Sequence, residues 1–117
     1  MIYYLDYTDY DNGKELPAVK IPVFISNRAT KEFQDITQKD IQSTQTEPVE
    51  NLPILLKITI KEGYRRLRVE NPYSDDQLED IADALFLDFA ALITNQYFVD
   101  VEKKMTPKKV IAPNRKP

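Results

Sequence analysis

The chain has 117 residues, 42% of them apolar, carries a net charge of −3, and contains neither cysteine nor histidine. That composition excludes a disulfide framework, a cysteine nucleophile, a thiolate metal site and the Ser-His and Cys-His catalytic pairs, and it removes the commonest general base and zinc ligand. No apolar run approaches the ~20 residues of a membrane span, and residues 1–6 lack the basic start of a signal peptide, so the reading is a cytoplasmic protein with no membrane association.

Taken in order, residues 2–7 alternate as a strand, with Tyr3, Leu5 and Tyr7 on one face and Ile2, Tyr4 and Asp6 on the other. A turn cluster follows, and Asn12-Gly13 is its strongest signal. Val19, Ile21, Val23 and Ile25 form a second strand, and Pro22 within it argues for an edge position or a bulge. These two strands are antiparallel neighbours if the dozen residues between them form a long hairpin loop. Residues 26–51 give the weakest pattern: Thr30 is a candidate cap for a short helix through Phe33 and Ile36, and residues 42–48 read as an exposed polar loop.

Leu56, Ile58 and Ile60 then alternate with Lys57, Thr59 and Lys61, and Glu62-Gly63 suits a two-residue turn. The spacing predicts a hairpin over residues 56–69 with an aliphatic inner face. Its outer face would carry Lys57, Lys61, Tyr64, Arg66 and Arg68, and Arg65 would snorkel outward near the tip. Asn71-Pro72 breaks the pattern, and Ser74 with Gln77 three residues on forms a capping box. Leu78, Ile81, Ala82, Leu85, Phe86, Phe89, Leu92 and Ile93 lie at helical spacing, which predicts one long helix over residues 75–95. Residues 97–101 resume a strand pattern.

The fold expected from these elements is α+β: a mainly antiparallel, curled or barrel-like sheet of about five strands packed on one long helix. It would occupy residues 1–103 as a single domain, followed by a basic flexible tail at 104–117. The order of elements is similar to that of small, partly closed β-domains of the PUA-like or OB-like kind, but no family motif accompanies it.

Charge is segregated along the chain. Residues 57–68 carry five basic side chains and one acidic, residues 69–102 carry no basic and nine acidic ones, and residues 103–117 carry six basic and no acidic ones. Two readings follow. In the first, a small non-enzymatic regulatory protein binds nucleic acid, RNA ahead of DNA. Lys57, Lys61, Arg66 and Arg68 would track phosphates, Tyr64 would stack on a base, and Lys103, Lys104, Lys108 and Lys109 would add salt-sensitive affinity from the tail. The bland alternative is a solvated outer face and a solubilising terminus. In the second reading, the chain is a protein-interaction or inhibitor module that uses the acidic helix through Asp76, Asp80 and Asp83, or the tyrosine-rich first strand through Tyr4 and Tyr10.

Metal binding by Asp75, Asp76, Glu79, Asp80 and Asp83 is set aside, because most of these residues satisfy the helix N-terminus and no glycine-bearing calcium loop accompanies them. A catalytic carboxylate pair among Asp9, Asp11 and Glu15 has nothing to position it. No cofactor, metal or catalytic residue is expected.

Overall fold

The computed structural model describes residues 1–97. Two long helices, rather than one, organise it. A β-ribbon comes first: β1 (Ile2–Tyr7) pairs antiparallel with β4 (Val19–Phe24), with Leu5 opposite Ile21 and Asp6 opposite Lys20. Between them β2 (Tyr10–Asp11) and β3 (Lys14–Glu15) continue the ribbon outward. Asn12 and Gly13 turn its tip with φ of 51° and 81°, the left-handed pair that a two-residue hairpin turn requires and that asparagine and glycine adopt most readily. The alternation expected of the first strand holds: Leu5 and Tyr7 are buried, Tyr4 and Asp6 are exposed, and Asp6 forms an ion pair with the directly opposed Lys20 at 2.7 Å. Pro22 lies on a strand that pairs on one side only among the described residues, the edge position expected for proline.

The chain then becomes helical. α1 (Asn27–Thr37) starts at Ser26, whose hydroxyl accepts from the Ala29 N–H, rather than at Thr30, whose hydroxyl donates to the Asn27 carbonyl. A short α2 (Ser43–Thr46) leads into α3 (Pro48–Leu67), and α4 (Asp75–Leu92) follows, ending in a π-helical turn (Ile93–Tyr97). The polar stretch expected to be an exposed loop thus holds α2, and Ser43 and Thr44 are buried.

The expected hairpin over residues 56–69 is the main correction. That stretch is the body and end of α3. Leu56, Ile58 and Ile60 do alternate, but they are a subset of a longer pattern. Leu52, Leu55, Leu56, Thr59, Ile60 and Gly63 recur at steps of three and four, and all are buried. Over that length the 3.6-residue period outweighs the six-residue period of two. Pro48 begins the helix, where a missing N–H costs nothing. Gly63 is not a turn residue. A β-carbon there would lie 2.8 Å from the carbonyl carbon and oxygen of Pro22, so glycine is what lets α3 pack directly against the β4 backbone.

α3 is the centre of the fold and packs against β4, α4, α1 and α2. α4 is capped as expected, by the reciprocal Ser74–Gln77 box, and buries Leu78, Ile81, Ala82, Leu85, Phe89 and Leu92. The architecture is α+β with four helices and two two-stranded antiparallel sheets; no closed barrel forms among the described residues. The expected strand over 97–101 begins at Tyr97, which belongs to the π-helical turn. The rest of that strand and the expected basic tail lie outside the described residues. Among the described residues no helix is long and apolar enough to cross a membrane.

Candidate functional site

Of the five residues expected on one hairpin face, Lys57, Lys61 and Tyr64 fall at i, i+4 and i+7 of α3, with Arg68 one further turn on at its C-cap, and Arg66 lies on the opposite side of the helix. Lys57 is half-buried and its ammonium pairs with Glu79, while Lys61, one turn later, pairs with Asp75 at 3.5 Å. Ascending α3 meets descending α4, so these two i,i+4 pairs clamp the helices side by side. Tyr64 lies against Tyr73, with ring centroids 6.2 Å apart and planes inclined by 59°. Burial, helped by a hydrogen bond with the Tyr73 hydroxyl, pushes the Tyr64 phenol up to about 12. The ring is partly buried by this contact. The Arg66 guanidinium sits 5.6 Å above the Phe24 ring. Arg68 closes α3 in the left-handed conformation. Lys103, Lys104, Lys108 and Lys109 lie outside the described residues.

One functional-looking residue escaped the sequence reading. Glu62 is 6% exposed, although it was expected in a turn. Its carboxylate accepts from Arg65 Nε at 2.7 Å, Arg65 Nη2 at 3.0 Å and the Ser26 hydroxyl at 2.8 Å, with Arg28 Nε at 3.8 Å. The Arg65 hydrogen bonds, followed by those of Ser26 and the charges of Arg65 and Arg28, hold the Glu62 carboxyl below its usual range against the opposing effect of burial. Glu62 therefore ties the start of α1 to the last turns of α3. The i,i+3 spacing of Glu62 and Arg65 was the available signal, and it has meaning only on a helix. Arg65 is thus a tether rather than a snorkelling tip residue.

The acidic candidates behave differently. Asp76, Asp80 and Asp83 lie at positions i, i+4 and i+7 of α4, and all three are exposed. None has an ion pair among the described residues. Leu87, one turn further on, continues the same stripe at 69% exposure. Asp75 and Glu79, in contrast, lie on the side of α4 that faces the lysines of α3. The free stripe borders the tyrosine-rich ribbon, since α4 packs against β1. Burial, and then the charges of Asp9 and Asp80, push the Tyr7 phenol up, while the Asp9 carboxylate takes the Tyr10 N–H at 2.8 Å. Tyr4 and Tyr10 are both exposed, at 50% and 62%.

Overall, residues 1–97 hold 10 basic and 17 acidic side chains, a net charge of −7. A cavity of about 200 Å³ between the start of α3 and the end of α4, lined by Leu52, Ala90 and Ile93 with Thr44, Gln45 and Thr94, has no ionisable side chain around it. Among the described residues no group of three or more acidic side chains is placed to hold a metal ion. No family model, no curated protein and no solved structure matches the chain.

Proposed function

We propose that the chain is a non-enzymatic regulatory module that binds a basic protein partner. The partner would be received on the α4 stripe of Asp76, Asp80 and Asp83 and on the adjoining tyrosine ribbon, with Tyr4 and Tyr10 as its exposed aromatic contacts. One observation carries the reading. Lys57 and Lys61 are neutralised by Glu79 and Asp75, whereas the three aspartates one helical face away have no partner among the described residues. An unpaired like-charge stripe raises the local potential and steers an oppositely charged partner. Exposed tyrosines beside it supply contact area at low entropic cost.

Nucleic-acid binding, RNA ahead of DNA, ranks second. It rests on Lys57, Lys61, Tyr64 and Arg68 along one face of α3, with Arg66 and the lysines at 103, 104, 108 and 109, and it ranks second because Lys57 and Lys61 are paired with Glu79 and Asp75. The test is fluorescence anisotropy at physiological salt with two probes, a lysine-rich peptide and a single-stranded RNA. The expected result is saturable binding of the peptide, weakened at least about tenfold in Asp76→Asn/Asp80→Asn/Asp83→Asn, as three exposed pairs at ~0.5–1 kcal/mol each imply. Peptide binding unchanged in that variant, or RNA binding with no peptide binding, would sink the proposal.

A further inference from the structure

The end of α3 carries a feature that the acidic-stripe reading leaves unused and that the nucleic-acid reading treats only as single phosphate contacts. Arg65, Arg66 and Arg68 line one cavity of about 270 Å³. The local backbone explains why three arginines so close in sequence converge. The Val69 N–H bonds the Tyr64 carbonyl and the Arg68 N–H bonds the Arg65 carbonyl, both at 3.1 Å. This is the double reversal that ends many helices, with Arg68 at the left-handed position (φ 60°) usually given to glycine. Two arginines of the last turn and one at the reversal itself therefore surround the same space.

Their donors are only partly used. Glu62 occupies Nε and Nη2 of Arg65 and leaves its other terminal nitrogen. Arg66 touches the Phe24 ring, and neither Arg66 nor Arg68 has a carboxylate partner among the described residues. Glu70, two residues beyond Arg68, makes no ion pair with any of the three among the described residues.

We infer that this cavity is an anion site for the phosphate group of a small phosphorylated molecule, gripped by Arg66 and Arg68 with Arg65 as the third wall. The guanidinium fork matches the geometry of a tetrahedral oxyanion and donates two parallel hydrogen bonds to it. A polyanionic strand fits less well. Lys57 and Lys61 further back on α3 are paired with Glu79 and Asp75, and one aromatic face at the site, that of Phe24, is covered by Arg66. The recognised feature is thus the phosphate itself, and the site is independent of the α4 stripe.

The experiment uses the full chain and inorganic phosphate as the probe, followed by calorimetry and by thermal melting at fixed ionic strength. Chloride serves as the control anion, and a single-stranded RNA without a terminal phosphate tests the polyanion alternative. Phosphate is expected to bind saturably and raise Tm where chloride does not. Affinity should fall at least about tenfold in Arg66→Gln/Arg68→Gln, since each charge-assisted hydrogen bond lost is worth a factor of that order. Arg68→Gly separates binding from structure, because glycine suits the left-handed position better. Tm without phosphate is expected to stay level or rise while phosphate affinity falls. Phosphate that acts no differently from chloride, affinity untouched by either variant, or RNA that binds more tightly than phosphate at the same salt would each overturn the inference.

Discussion

α3 and α4 are antiparallel neighbours of similar length, and they use their charges in opposite ways. Along its length α3 pairs most of its charges with neighbouring elements and leaves Arg66 and Arg68 at its end without a carboxylate partner among the described residues. Lys57 and Lys61 reach Glu79 and Asp75 on α4, and Glu62 is buried in a network with Arg65, Ser26 and Arg28. α4 commits Asp75 and Glu79 to that clamp and leaves Asp76, Asp80 and Asp83 in solvent. The separation follows from helix geometry. Positions i and i+4 share a face, and a step of one residue turns a side chain by about 100°. Adjacent aspartates such as Asp75 and Asp76 therefore take different roles. A charge run read linearly does not distinguish structural from available charge; the face each residue occupies does.

The comparison breaks most visibly in the core. Leu56 on α3 and Phe89 on α4 are both fully buried, so the two helices should be equally indispensable despite their different surfaces. Leu56→Ala is expected to destabilise by ~2–5 kcal/mol and Phe89→Ala by ~3–5 kcal/mol in denaturant melts. A loss below about half a kcal/mol at Leu56 would return that stretch to a solvent-facing element.

Gly63 sharpens the contrast next, since there α3 meets the β4 backbone directly. Gly63→Ala would ordinarily stabilise a helix interior by ~1 kcal/mol. Here its β-carbon would meet the Pro22 carbonyl at 2.8 Å, and the net expectation is a loss of ~1–3 kcal/mol from overpacking. A Tm unchanged or raised would mean that α3 and β4 are further apart.

The smaller effect concerns Glu62, the buried carboxylate of α3. Its folded pKa is lowered from 4.5, so its contribution to stability is present above about pH 4.5 and is lost as pH falls below that through the folded value. Glu62→Gln is expected to cost ~1–2 kcal/mol at pH 7 and to flatten the acid limb of the stability curve below pH 4.5. Asp76→Asn, Asp80→Asn and Asp83→Asn, tested singly, should each stay within ~0.5 kcal/mol of the parent. An acid limb identical in Glu62→Gln would remove Glu62 from the tether.

Much of α4 and of the ribbon was legible in the sequence. Ser74 and Gln77 announce the cap, residues 78–92 repeat at helical spacing without interruption, Asn12-Gly13 marks the hairpin tip, and Pro22 marks an edge. α3 was not legible for a specific reason. Leu56-Lys57-Ile58-Thr59-Ile60-Lys61 alternates with β-branched residues and ends at Glu62-Gly63, so local period and propensity agree on a hairpin. Tertiary packing decides otherwise, because the helix buries eight residues from Leu52 to Gly63 at once and a hairpin would not. The candidate site changed in part. Lys57, Lys61, Tyr64 and Arg68 stay on one face of α3 at i, i+4, i+7 and i+11, and Arg66 moves to the other side, while Asp76, Asp80 and Asp83 share a face on the helix that was read correctly. The partners that distinguish used from unused charges, Glu79 for Lys57 and Asp75 for Lys61, are fixed only by the packing of the two helices.

The central claim is that the exposed charge of α4, not the cations of α3, is what the folded chain offers to a macromolecular partner. Backbone amide NMR during titration with a lysine-rich peptide, and separately with a single-stranded RNA, tests it residue by residue. The expected result is peptide-induced shifts grouped at residues 76–87 of α4 and residues 7–11 of the ribbon, with no comparable group on α3. Shifts gathered at residues 57–68 on adding RNA, with α4 silent to the peptide, would contradict it.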